Sequence, residues 1–139
     1  MRILQVRLPA SEASMAREAL GHFMTAQNLD FVGSPPPPAA AALPENACAA
    51  WSRQSLGYDA CLPEGLAACP IRGGRACRVN GRAAACYLLD SGRGLYVFER
   101  PFRDGQSVAG KPMAVAAGFQ ARAWNEAGRG YVIVEPVAR

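Results

Sequence analysis

The chain has 139 residues, half of them hydrophobic by a wide count and 19% charged, which suits one folded domain with room for an appendage and excludes both a two-domain enzyme and wholesale disorder. Its formal net charge of +4 is too small an excess to point to nucleic acid by itself. Of the 15 basic residues 14 are arginine, and 27 residues are alanine, a bias that carries no function. No stretch approaches the roughly 20 consecutive apolar residues that span a bilayer. The first residues alternate and include Arg7, so they lack the apolar core of about 7–15 residues found in a signal peptide, and any export address is expected outside this chain.

In chain order, residues 2–8 put Leu4, Val6 and Leu8 on one side, the pattern of a short edge strand. Ser11 is a suitable N-cap for a helix running to about Asn28, whose apolar stripe is Ala16, Ala19, Leu20, Phe23, Met24 and Gln27. Residues 34–45 are a Pro/Ala-rich run favouring polyproline II geometry, a stiff spacer. Asn46 can cap a second helix over about 47–56, with Trp51 on its apolar side and Gly57 in the C′ position. Beyond it the period changes. Apolar runs within 66–89, 95–98 and 119–134 are separated by Gly73-Gly74, Asn80-Gly81, Ser91-Gly92, Asp104-Gly105 and Ala127-Gly128, the pattern of about five strands joined mostly as hairpins in a meander. Asn80-Gly81 is the most specific of these, because a type I′ turn needs positive φ at both central residues. Residues 100–118 read as a long mobile connection between the fourth and fifth strands. The expected architecture is therefore α+β: two N-terminal helices packed on one face of a twisted antiparallel sheet. Its segments are 1–33 (strand and helix), 34–45 (spacer) and 46–139 (helix and meander).

Chemistry-bearing residues are few. Cys48, Cys61, Cys69, Cys77 and Cys86 contain no Cys-x-x-Cys pair, and an odd count leaves at least one thiol free or paired between chains. Burial in a small-residue core is their plainest use; a disulfide and a soft-metal site are the alternatives. A two-residue turn at Asn80-Gly81 would set Cys77 opposite Ala84 and Cys86 opposite Arg75. The two cysteines then share a face diagonally, about 7–8 Å apart, too far for a disulfide yet able to approach one soft ion together with His22. His22 is the only histidine, too few imidazoles for most metalloenzyme sites, and reads as a helix-surface or hydrogen-bonded core residue. Arg72, Arg75, Arg78, Arg82 and Arg93 cluster around the turns but split between faces, the pattern of a solvated sheet edge more than of a nucleic-acid platform. No Gly-x-Ser-x-Gly, Walker loop, His-Glu-x-x-His or dinucleotide fingerprint is present, and the 11 acidic residues are scattered, so no enzyme is expected. No cofactor is expected either.

One ordered set of motifs carries a resemblance. Gly73-Gly74-Arg75, Val79-Asn80-Gly81-Arg82-Ala83-Ala84, Tyr87, Gly92-Arg93-Gly94-Leu95-Tyr96-Val97-Phe98, Gly118-Phe119, Trp124-Asn125 and Gly130-Tyr131-Val132-Ile133 follow one another. Upstream stand Ala16 to Met24 with His22, then Ala50-Trp51-Ser52, Leu56-Gly57-Tyr58 and Pro63. Over about residues 12–135 this resembles the extracytoplasmic domain of membrane-bound anti-sigma factors of Gram-negative bacteria. The family's cytoplasmic zinc-binding helical domain and its membrane helix are not in this chain. The resemblance implies a sensory or protein-interaction domain that regulates transcription indirectly. Its partner would be a protein, a second copy of the chain included, and not nucleic acid. It implies a periplasmic location, with a membrane helix upstream; a true start at Met1 without such a helix would imply the cytoplasm. Contact surfaces are expected at the spacer and on the 100–118 connection, at Phe102, Val108 and Met113. A soft-metal module for copper or zinc built on Cys77, Cys86 and His22 is the alternative.

Overall fold

The computed structural model describes residues 11–25, 28–32, 47–66, 69–89, 92–106 and 110–137. The expected strand at 2–8, the spacer, the Asn46 cap and Val108 lie outside them. Ser11 caps the first helix as its sequence position suggests, its Oγ accepting the N–H of Ser14 at 3.1 Å, and helix α1 runs Glu12–Thr25. Met15, Ala16, Ala19 and Leu20 fall at three-and-four spacing and are all buried. Helix α2, Ala47–Leu56, ends where Gly57 takes a φ of +89° and its N–H bonds Arg53 O at 3.0 Å.

Among the described residues seven antiparallel strands form one sheet: β1 (Phe31–Val32), β2 (Ile71–Val79), β3 (Arg82–Leu89), β4 (Gly94–Phe98), β5 (Ala114–Ala116), β6 (Phe119–Glu126) and β7 (Arg129–Pro136), in the order β1-β2-β3-β4-β7-β6-β5. This corrects the expectation of two helices on a five-stranded meander. The chain leaves β4, runs to the far edge, and returns through β5 and β6 so that β7 closes against β4. Two short strands were not legible. β5 lies inside the supposed connection, and β1 pairs with the stretch where Gly73-Gly74 had suggested a turn. Those glycines instead sit within β2, because the Phe31 backbone and ring approach so closely that a Cβ on either would meet them within 3 Å.

The central hairpin has the expected register, Val79↔Arg82, Cys77↔Ala84 and Arg75↔Cys86, with Asn80 and Gly81 at φ of 52° and 77°. Period-two alternation sends successive residues to opposite faces, and both faces are covered. Ala84, Cys86, Tyr96, Phe98, Val132 and Val134 pack with α1. Ala85, Tyr87, Leu95, Val97, Tyr131 and Ile133 pack with Trp51 of α2 and with Tyr58. The helices therefore lie on opposite faces of the sheet, not on one. That is why strands β3, β4 and β7 read as nearly continuous apolar runs and the sequence could not assign them a solvent side.

Candidate functional site

Among the described residues one close set of chemistry-bearing side chains lies between α1 and the sheet. Cys86 and Tyr96, neighbours in register on β3 and β4, are fully buried. His22, one turn beyond the buried stripe of α1, reaches down so that its Nδ1 lies 2.8 Å from the Tyr96 hydroxyl, with the rings edge-to-face at 5.6 Å. Arg75, opposite Cys86, is 8% exposed. Its Nη1 donates to Asn28 O at 2.7 Å, and its buried Nε has no partner among the described residues. Arginine at this position was expected on a solvated edge; the covering by α1 buries it.

The electrostatics keep the cluster quiet at neutral pH. Burial pushes the Cys86 thiol up, the Tyr96 hydroxyl and Arg75 guanidinium beside it offsetting part of the rise. Cys77 is pushed up to about 12, by burial first and the neighbouring Cys86 next. Burial likewise raises the Tyr96 phenol, and burial and the Arg75 charge lower His22. Neutral imidazole, phenol and thiols thus make a hydrogen-bonded seam that fixes the C-terminal half of α1. A cysteine nucleophile needs a thiolate, and full burial of Cys86 closes the route to it.

The structure does bring the three sequence-derived metal candidates, Cys77, Cys86 and His22, to one face. It also sets the Arg75 cation among them, which opposes a metal cation, and among the described residues no group of three His, Cys, Asp or Glu is placed to hold a metal. Of the expected contact residues, Phe102 is 5% exposed and packs on Phe98 at 5.6 Å, so it is core, and Met113 is half-buried against the same cluster. The first part of the 100–118 connection is tied down. Asn125 Oδ1 accepts the Phe102 N–H at 2.7 Å and its Nδ2 donates to Phe102 O at 2.9 Å. Gln106 N–H donates to the Glu12 carboxylate at 2.8 Å, and Asp104 accepts the Glu12 N–H at 2.7 Å at the start of α1. Burial raises Glu12, the Gln106 bond opposing it.

On the opposite face Tyr58, Tyr87 and Ser52 act in the same positional way. The Tyr58 hydroxyl lies 2.9 Å from Val97 O and 3.0 Å from Ala83 O, bridging β4 and β3. The Tyr87 hydroxyl donates to Ala60 O at 2.5 Å, and Ser52 Oγ accepts Ala60 N–H at 2.7 Å. None of these tyrosines carries a signal in the linear pattern, since aromatic residues on strands look alike whether or not the hydroxyl finds a carbonyl.

What remains outward is the sheet's ends. β5 is the last strand, paired only with β6 among the described residues, and Val115 on it is 65% exposed. Val137 beyond β7 is exposed at the same end, its N–H bonded to Gly118 O. At the other edge Val32 of β1 is exposed. Among the described residues the fold is α+β, one seven-stranded antiparallel sheet between two α-helices. No family model, no curated protein and no solved structure matches the chain. No helix among the described residues is long and apolar enough to cross a membrane.

Proposed function

We propose that the chain is a non-enzymatic sensory or protein-interaction domain, similar in role to the outer domain of membrane-bound anti-sigma factors, which acts on transcription through a protein partner. The observation that carries this reading is the β5 edge. An edge strand presents unpaired backbone donors and acceptors, and an exposed valine beside them is the usual invitation to an added strand. The polar side chains with recognisable chemistry are meanwhile engaged in holding helices and loops to the sheet. An extended segment of a partner protein would hydrogen-bond along residues 114–116 and cover Val115.

A photo-crosslinking amino acid at position 115, in cells of the source organism, tests this. One discrete protein adduct, absent when the same group replaces Gln54 on the outer side of α2, is the expected result. Val115→Asp should leave the melting temperature within about 2 °C, since exposed substitutions change stability little, while removing the adduct formed from a neighbouring position, 116. Equal labelling at 115 and 54, with no discrete adduct, would end the reading.

A further inference from the structure

The face covered by α2 holds a second pair of thiols that the partner reading does not use. After Gly57 reverses the chain, residues 58–61 run back along α2. Arg53 grips Asp59 through a two-pronged ion pair at 2.7 and 2.9 Å, and one position further back Ser52 accepts the Ala60 N–H. The next residue of the returning segment is Cys61, and one helical turn before Ser52 stands Cys48. The helix and the returning segment thus advance toward each other's cysteine. The Tyr87 hydroxyl, bonded to Ala60 O, also lies beside the Cys48 thiol, so a single side chain from β3 touches both segments at this point. Cys48 is half-buried and Cys61 exposed, both with free thiols.

We propose that Cys48 and Cys61 are the halves of an intramolecular disulfide closed by exchange with a small or protein disulfide. The exposed Cys61 thiolate attacks the oxidant's sulfur and forms a mixed disulfide, releasing one thiol. The Cys48 thiolate then attacks Cys61 Sγ and releases the second thiol. Two protons and two electrons leave the protein, and the oxidant is reduced to two thiols. Burial and the neighbouring Cys61 raise Cys48 to about 11, so the resolving step needs a rare thiolate, and the closed bond suits a structural staple more than a rapid sensor. The other cysteines are placed differently: Cys77 and Cys86 sit diagonally across the hairpin, and Cys69 Sγ accepts a bond from Arg93 at 3.5 Å.

Reduced full-length protein would be incubated with oxidised glutathione, quenched with N-ethylmaleimide and digested without reductant by trypsin together with a glutamate-specific protease. The latter cuts at Glu64 and so separates Cys61 from Cys69, which trypsin alone leaves on one fragment. The expected product joins the Cys48 and Cys61 fragments, and melts roughly 5–10 °C higher than the reduced protein, as a loop of this length implies. Its rate of closure should rise nearly tenfold per pH unit between 7 and 9. Cys61→Ser should abolish cross-link and stabilisation, and Cys69→Ser should leave both. Arrest at glutathionylated Cys61, pairing of Cys61 with Cys69, or a cross-link that lowers the melting temperature would each overturn the assignment.

Discussion

Asn125 offers the sharpest test of the fold, because it separates an anchored connection from a loose one. Asn125→Ala removes the acceptor for Phe102 N–H and the donor to Phe102 O while leaving its own backbone bond to Gln106 O at 2.6 Å. Phe102 is buried against Phe98, so its N–H loses its partner in a place water reaches poorly, while its carbonyl keeps a longer bond from Gly105 N–H at 3.3 Å. An unsatisfied buried group costs about 1–3 kcal/mol, and the single orphaned N–H falls in that range. For a domain of this size that is a fall of about 3–9 °C in melting temperature. Asn125→Asp keeps the acceptor for the Phe102 N–H but turns a carboxylate oxygen toward Phe102 O, so it should destabilise as well. Gly105→Ala should act alike, since a Cβ there would collide with the Asn125 amide and push it off Phe102. Urea and thermal denaturation measure the energies, and amide exchange at Phe102 reports the local opening. A loss below about 0.5 kcal/mol for Asn125→Ala, with Phe102 exchange unchanged, would refute the anchoring.

Gly81→Val should cost about 1–2 kcal/mol in urea denaturation, because a β-branched residue resists the φ of +77° that the Asn80-Gly81 turn requires. Trp51→Ala should cost about 3–5 kcal/mol, as Trp51 is 6% exposed and packs on Phe31 and Tyr87, and native tryptophan emission should lie well to the blue of the denatured spectrum. Alkaline pH should destabilise the reduced protein. Burial holds Cys77 and Cys48 at about 12 and about 11, above the ordinary 9.0, so the stability they confer is complete below pH 9 and is lost as pH rises through 11 and 12. The urea midpoint should fall over that interval, and Cys77→Ser should lessen the slope.

Much of the local structure was written in the sequence. Ser11 and Gly57 mark helix ends through capping chemistry, and Asn80-Gly81 sets the hairpin and with it the register of Cys77 and Cys86, because these signals act within four residues. The strands at 82–89, 94–98 and 119–136 announce themselves by apolar runs broken at a glycine turn. Where the apolar residues point is another matter. A strand buried on both faces shows no alternation, so nothing in the runs said that α1 and α2 would take opposite faces.

The same limit governs the candidate site. Its members were visible as residue types, but Arg75 became buried, and His22 found Tyr96 across 74 positions, only when α1 settled on the sheet. Phe102 looked like a surface residue on a connection without periodicity, and turned inward because Asn125 and Glu12 bind the backbone around it. The two-residue β1 is below the length at which any period can show, and β5 scarcely longer; β1 exists because Gly73 and Gly74 let the Phe31 backbone come close. Local hydrogen-bond chemistry and turn geometry are properties of neighbouring residues and can be read in order. Which face is covered, which charge is buried and which thiols meet are decided by contacts between residues far apart in the chain, and only the folded sheet brings those together.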